Sequence, residues 1–394
     1  MTKPKVLISD KMDPNAARIF EERGCDVDVK PGMTPDELKA VIGQYDGLAI
    51  RSATKVTPEI LDAAENLKVI GRAGIGVDNV DIPYASGKGV VVMNTPFGNS
   101  ITTAEHAIAL IMAVARQIPA ADARTQKGEW PKSDFMGVEV TGKTLGLIGA
   151  GNIGSIVASR AQGLRMKVIA YDPFLTEDRA IELGIEKVDL DTLLARADFI
   201  TLHTPLTDET RNILSRENLA KTKQGVRIVN CARGGLIDEE ALKDLLESGH
   251  VAGAALDVFA NEPAKESPLF GTPGFISTPH LGASTTEAQV NVALQVAEQM
   301  AAVEIHRLVQ DLRGKIELMA SYKKAQKAAQ GWLTASWDLY DSGFGSFRDV
   351  MDALVQFYRR KVGYLQAVHE HNLLVYELSR AVGADITQLG ENPR

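Results

Sequence analysis

Lys143-Thr-Leu-Gly-Leu-Ile-Gly149-Ala-Gly151-Asn-Ile-Gly154 is the stretch whose reading decides the fold. Its apolar opening reads as a strand buried on both faces, and its close reads as a tight turn into a helix. The three glycines have separate tasks. Gly149 permits the turn, Gly151 lets backbone approach a pyrophosphate, and Gly154 allows the helix to pack close to its strand. The helix N-terminus then attracts the anion. Asp172 ends the next apolar run, Lys167-Val-Ile-Ala-Tyr171, near the ~20-residue offset at which a carboxylate meets the adenosine ribose hydroxyls. That carboxylate repels a 2′-phosphate, so NAD is expected rather than NADP.

Working outward, Phe199-Ile-Thr-Leu202, Val226-Arg-Ile-Val-Asn230, Ala254-Ala-Leu256 and Phe275-Ile-Ser277 continue the strand series. An earlier series comprises Lys5-Val-Leu-Ile-Ser9, Gly47-Leu-Ala-Ile50, Lys68-Val-Ile-Gly71 and Val90-Val-Val-Met93. Helical patterns between the runs imply parallel sheets, an α/β architecture. Ser100 to Ile118 reads as one long connecting helix, capped by Asn99 or Ser100, with Ala107, Leu110, Ile111 and Val114 facing inward. Residues 119–138, carrying Trp130 and Phe135, read as an irregular excursion that makes an oligomer contact. Beyond about residue 302 the strands stop. Two helical segments flank Asp341-Ser-Gly-Phe-Gly-Ser346, with Ser346 and Asp349 forming a capping box. Phe347, Val350, Leu354, Phe357, Leu365, Val368, Val375, Leu378 and Val382 predict the apolar stripe of a helical hairpin.

The 394 residues are 45% hydrophobic and 24% charged, which fits two or three globular domains. A formal net charge of -8 argues against a nucleic-acid partner, because phosphate-binding surfaces carry excess Lys and Arg. Cys25 and Cys231 are far apart in sequence, so neither a disulfide framework nor a zinc site is expected, and a reducing cytoplasm suits the chain. The start reads as a strand rather than a secretory leader, and the longest apolar run, Ala107 to Ala115, is too short to span a membrane. No membrane partner is expected. His369 and His371 stand two apart on different helix faces, so no metal site is expected there or elsewhere.

Ligands of open α/β sheets bind beyond the carboxyl ends of the strands, and three candidates lie there. Arg233 follows one strand end in Asn230-Cys-Ala-Arg233-Gly-Gly235, and its fork suits a carboxylate. Glu262 follows another in Asn261-Glu-Pro263, and His280 a third in Pro279-His-Leu-Gly282-Ala283. An imidazole titrates near neutrality, and a neighbouring carboxylate favours its protonated form. Taken singly, each of these residues is also what an ordinary surface arginine, loop acid or structural histidine looks like; their shared placement past strand ends gives them weight.

Taken together, Gly149 to Gly154, Asn230-Cys-Ala-Arg-Gly-Gly-Leu-Ile-Asp238, Ala255-Leu-Asp-Val-Phe259, Asn261-Glu-Pro263 and Pro279-His-Leu-Gly-Ala-Ser284 resemble the ordered signatures of the D-2-hydroxyacid dehydrogenases. Arg51-Ser-Ala-Thr-Lys55, Gly71-Arg-Ala-Gly-Ile-Gly-Val-Asp-Asn79 and Asn94-Thr-Pro-Phe-Gly-Asn-Ser100 are similar to its phosphoglycerate-oxidising branch, and the resemblance runs from residue 3 to about 301. It implies a Rossmann-type NAD domain (98–282) inserted in a flavodoxin-like substrate domain (1–97 and 283–301), both doubly wound, followed by the 302–394 hairpin extension. It implies catalysis by Arg233 on the substrate carboxylate, His280 as acid and base, and Glu262 as its partner. For the cofactor it implies Asn152 and Ile153 near the pyrophosphate and Asp257 near the nicotinamide carboxamide, with Thr204, Pro205, Cys231, Ala232, Gly282 and Ala283 lining the cleft. For a small-molecule substrate it implies Arg51, Ser52, Arg72, Gly74 and Asn99, with Lys132 supplied across the interface of a homodimer or higher homo-oligomer.

The resemblance implies oxidation of D-3-phosphoglycerate by NAD. A glyoxylate or hydroxypyruvate reductase uses the same trio, with Arg51 and Lys132 as the discriminators. A silent NAD(H)-sensing protein docking through its hairpin is a reading of another class. The sequence departs from the family after Gln289 to Met300, where the final part resembles the closing helical hairpin of outer-membrane efflux proteins, in Leu339 to Ser346, Tyr364-Leu-Gln-Ala-Val368 through Asn372, and Glu377 to Gly383. The change near residue 301 reads as a fusion junction, natural or artificial.

Overall fold

Every pairing between strands in the computed structural model, which describes residues 3–382 except the side chains of 304–307 and 379–382, is parallel. The chain divides into two units, Met1–Asn94 with Ala293–Arg394, and Thr95–Val292.

The first unit holds β1 (Lys5–Ile8), β2 (Asp26–Val29), β3 (Gly47–Ile50), β4 (Val69–Arg72) and β5 (Val91–Asn94) in the order β2-β1-β3-β4-β5. Leu48, Ile50 and Ile70 are fully buried, as a parallel sheet covered on both faces demands. One cover is the segment from Ala293 to Met300. A Cβ at Gly71 would stand 2.2 Å from Met300 Sδ and 2.5 Å from Val296 Cγ2, so a glycine there lets helix lie directly on strand. The strand β2 is absent from the sequence reading, because Asp-Val-Asp-Val is an exposed edge with charge at alternate positions.

The second unit holds β6 (Thr144–Ile148), β7 (Lys167–Tyr171), β8 (Glu186–Lys187), β9 (Phe199–Leu202), β10 (Val226–Asn230), β11 (Val251–Leu256) and β12 (Phe275–Ser277) in the order β12-β11-β10-β9-β6-β7-β8. The chain winds outward from β6 to β8, then crosses back to β9 on the other side of β6. That reversal leaves a crevice at the carboxyl ends of β6 and β9. The connecting helix is shorter than read: it spans Ser100–Arg116, and Gln117, with a left-handed φ of 53°, separates it from a second helix, Ile118–Thr125. Asn99 occupies the cap position but makes no side-chain cap bond, and Ser100 Oγ donates instead to Pro96 O at 2.8 Å. The excursion at 119–138 is therefore partly helical. Arg124 organises the rest, bridging Glu129 and Asp134 at 2.6 Å each and lying 5.7 Å over the Phe135 ring.

Thr286–Asp341 is one helix of 56 residues that runs unbroken through residue 301, where the composition changes. It turns at Gly343, whose φ is 81°, and Ser346 Oγ accepts from Asp349 N at 3.2 Å to start Phe347–Val382. The two helices pair antiparallel: Leu308 clusters with Leu378, Lys315 Nζ meets Glu370 Oε2 at 2.5 Å, and the Tyr340 and Phe347 rings lie 5.9 Å apart. The apolar stripe read from the sequence is not one face. Val350 and Leu378 are buried against the first helix, whereas Leu365 is exposed on a second heptad row, and Phe347, at the helix start, is exposed although its ring meets Tyr340. The Val382 side chain and residue Gly383 lie outside the described residues. No helix among the described residues is long and apolar enough to cross a membrane.

Candidate active site

The glycine turn sits at the end of β6 with each glycine in a distinct environment. Gly149 has φ 98°, and a Cβ on it would stand 2.6 Å from His203 O; one on Gly154 would stand 2.2 Å from Gly149 O. Both positions therefore require glycine. A Cβ on Gly151 meets nothing within 4 Å, so this backbone faces open space at the start of the Asn152–Gly163 helix. Strand, turn and free helix N-terminus make the cradle that a pyrophosphate needs. Asp172, at the end of β7, accepts Ala150 N on Oδ2 and Phe174 N on Oδ1, both at 2.8 Å. It thus braces the turn, and each oxygen keeps a lone pair for a ribose hydroxyl. We expect Gly151→Val to weaken NADH binding about 10- to 100-fold, the equivalent of 1–3 kcal/mol of overpacking against the dinucleotide. Its melting temperature should hardly change, since the added side chain has room in the free protein; equal NADH affinity in a titration would show that the dinucleotide binds elsewhere.

Along the same sheet edge lie the chemical groups. Cys231 and Ala232 follow β10 and are buried; burial pushes the Cys231 thiol up, which keeps it neutral and rules out a thiolate nucleophile there. Arg233 comes next, its Nη1 donating to Ala232 O at 2.7 Å. A Cβ at Gly234 would stand 1.8 Å from Phe259 O, so this glycine lets the loop after β10 touch the loop after β11. Glu262, in that second loop, is fixed at both oxygens: Oε1 accepts Phe259 N at 3.0 Å and Oε2 faces His280 Nδ1 at 2.6 Å. Burial raises the Glu262 pKa, but the His280 and Phe259 bonds outweigh it and leave the carboxyl below its ordinary value.

The Glu262 bond raises the His280 pKa, against desolvation and the positive charge of Arg233, both of which lower it. With Glu262 ionised, the Nδ1 proton is committed and Nε2 is the free acceptor. His280 also holds a left-handed φ of 56°, an uncommon state for a residue with a Cβ and one that gathers at functional sites.

Asp257 explains that backbone. Its side chain is fully buried, with Oδ1 accepting Thr278 Oγ1 at 2.5 Å and Leu281 N at 2.7 Å, and Oδ2 accepting Gly282 N at 2.8 Å. Its carbonyl accepts His280 N at 2.9 Å. Burial alone raises this carboxyl's pKa, and the bonds from His106, Thr278 and Leu281 bring it below the usual range. Asp257 therefore clamps the loop that presents His280, with Gly282 and Ala283 in its path. His106, on the Ser100–Arg116 helix, completes the clamp: its Nε2 lies 3.3 Å from Asp257 Oδ1 and 3.2 Å from Thr278 Oγ1. Sequence reading misses His106, because its partners lie far along the chain and nothing local marks it. It also misses His203, whose ring meets Thr201 Oγ1 at 3.0 Å and whose burial lowers its pKa to about 4, leaving it neutral behind the glycine turn. Thr204 and Pro205 follow it into the crevice.

Asn99 is buried in this unit with its Oδ1 unpartnered among the described residues, and Lys132 is exposed in a short turn of helix, Lys132–Asp134. The remaining substrate candidates belong to the first unit. Arg51 follows β3 and Arg72 ends β4, adjacent strands in register at Ile50 and Arg72, so two cations share one carboxyl edge. Arg51 Nη1 donates to Lys11 O at 3.3 Å, and Ser52 beside it is exposed. A Cβ at Gly74, where φ is 149°, would stand 2.0 Å from Arg72 Nη1, so this glycine makes room for the guanidinium.

A parallel sheet carries a glycine cradle at its reversal point, with an imidazole–carboxylate pair and a guanidinium at neighbouring strand ends, the arrangement that dinucleotide-dependent redox chemistry needs. Residues 108–282 match the family model described as D-isomer specific 2-hydroxyacid dehydrogenase, NAD binding domain. A D-3-phosphoglycerate dehydrogenase from Synechocystis sp. is 52% identical over 299 residues, which are 76% of this chain and 54% of that protein. A glyoxylate reductase structure from Paecilomyes thermophila superposes with a TM-score of 0.70 at 32% identity, covering 76% of this chain and 95% of the other. A D-lactate dehydrogenase from Aquifex aeolicus, complexed with NAD and lactic acid, gives 0.68 at 27% identity over 77% of this chain and 97% of its own. The chain belongs to the D-isomer specific 2-hydroxyacid dehydrogenase family. It spans about half the length of the curated relatives it matches.

Proposed function

We propose that this chain oxidises D-3-phosphoglycerate at C2 with NAD, giving 3-phosphohydroxypyruvate, as a homodimeric or larger cytoplasmic enzyme. The observation that carries the chemistry is the 2.6 Å bond between His280 Nδ1 and Glu262 Oε2, which leaves Nε2 of His280 as the acceptor beyond the strand ends. NAD, when bound, supplies the hydride acceptor. His280 takes the C2 hydroxyl proton, Glu262 stabilises the imidazolium that results, and the Arg233 fork holds the substrate carboxylate. Arg51 and Arg72, with Ser52 and Gly74 beside them, meet the phosphate, and Lys132 reaches it from the partner subunit through a contact at 119–138. In this reading residues 98–282 bind the nucleotide and residues 1–97 with 283–301 bind the substrate. The relatives named D-3-phosphoglycerate dehydrogenase, 46% to 52% identical across bacteria and archaea, support this substrate over others.

The test is NADH formation from D-3-phosphoglycerate and NAD. NADH oxidation with glyoxylate or hydroxypyruvate, and none formed from D-3-phosphoglycerate, would assign the reductase activity instead. Turnover with neither, despite NADH binding, would leave a sensor. A monomer by light scattering would remove Lys132 from the site.

The Glu262–His280 pair also predicts a pH signature. Oxidation needs neutral His280, so kcat/KM rises with pH through an inflection above the ordinary imidazole value. Glu262→Gln should move that inflection down, toward or below 6.5, the unperturbed value. An unmoved inflection would show that the pair does not govern proton transfer. For stability, His280, whose pKa rises on folding, contributes fully below 6.5 and loses that contribution as pH rises through its folded value; Glu262, whose pKa falls, contributes fully above 4.5 and loses it as pH drops. The pair therefore stabilises most between those two values.

A further inference from the structure

The Phe347–Val382 helix carries two heptad seams, of which the hairpin uses one. Val350, Ala353, Ala367 and Leu378 are buried on the seam that faces the first hairpin helix. Met351, Val355, Tyr358, Val362 and Leu365 follow at spacings of four, three, four and three, and are exposed by 41%, 48%, 54%, 61% and 57%. That spacing is the signature of a surface that packs knobs into the holes of another helix. Five large side chains in a row on the solvent side exceed the scattered exposure of an ordinary surface.

We propose that this second seam is a self-association surface, packing antiparallel about a two-fold axis against the same seam of a second copy of this chain. Charge selects both the partner and the direction. Flanking the seam are Asp352, Arg359 and Lys361, all exposed, and residues 353–369 contain no acid. A parallel pairing sets Arg359 of each copy beside Lys361 of the other, which repels. In the antiparallel pairing Val355 layers on Tyr358 of the other copy and Met351 on Val362, and each occurs twice by symmetry. The same register sets Asp352 beside Arg359 of the other copy, again twice. Neither is in an ion pair within its own chain among the described residues. Beyond Leu365 the seam turns polar at His369 and Asn372, which confines the contact to the half of the helix nearest the turn. Residues 383–394 hold two large apolar side chains, Ile386 and Leu389, against the five of the seam.

The experiment is sedimentation equilibrium on the full chain, with NADH binding as the check on folding. Val362→Asp should weaken the hairpin-dependent association step at least tenfold. Asp352→Arg and Arg359→Asp should each weaken it several-fold, and the two combined should restore it. Mixing Val355→Cys chains with Tyr358→Cys chains under mild oxidation should yield the mixed disulfide in excess over either like pair. Masses indifferent to all these changes, like-paired disulfides in excess, or association that strengthens when residues 383–394 are removed would overturn the proposal.

Discussion

His280→Ala is expected to lower kcat about 10²- to 10⁴-fold, the range of a positioned general base, while NADH binding persists. The loss follows from geometry rather than folding. Glu262 holds His280 Nδ1 at 2.6 Å, so Nε2 is the atom presented to a hydroxyl, and Glu262 itself is occupied at both oxygens. No other side chain at the ends of β10, β11 or β12 is placed to inherit the proton: Asp257 is buried under three donors, and burial keeps Cys231 protonated. Backbone strain does not confound the variant. A left-handed φ costs any residue with a Cβ roughly 1–2 kcal/mol, alanine as much as histidine. The Asp257 clamp that enforces it is untouched. The measurement is steady-state turnover across pH, in which the acid limb of the profile should vanish along with most of the rate. Undiminished turnover would remove the mechanism.

The parts of this protein legible in its sequence are those where one residue type solves one local problem. Gly149 and Gly154 could be read because no side chain fits where a strand turns into a helix packed on it, and the buried strands because covered parallel strands are continuously apolar. That Arg233, Glu262 and His280 lie past neighbouring strand ends was legible from the strand pattern alone. What could not be read is non-local or masked by charge. The edge strands β2 and β8 are Asp-Val-Asp-Val and Glu-Lys, which carry no burial signal. The left-handed residue at Gln117, which breaks the connecting helix, has neither glycine nor asparagine to announce it. His106 acts on Asp257 across 151 positions of chain, and its helix pattern treats it as one more polar residue. The same limit hid the double seam of the last helix, because apolar residues on two faces look like one broad stripe until burial separates them.

Arg233 carries the second large effect, and its signature differs in kind from that of His280. Removing a guanidinium that binds a substrate carboxylate through two charge-assisted hydrogen bonds costs about 2–5 kcal/mol, so Arg233→Ala should lower kcat/KM by about 30- to 5,000-fold. Arg233→Lys should recover only part, because an ammonium keeps the charge and loses the fork. The charge also acts on the base. Arg233 opposes protonation of His280, as Glu262 favours it, so the alanine variant should move the acid-limb inflection up while Glu262→Gln moves it down. The lysine variant should leave the inflection near its original place, since the charge remains. On the proposed roles, that opposition separates two jobs of one side chain: binding follows the shape of the cation and proton affinity follows its sign. Kinetics in which alanine and lysine variants share one inflection, or in which saturating substrate rescues neither, would show that Arg233 stands apart from both the substrate and the imidazole.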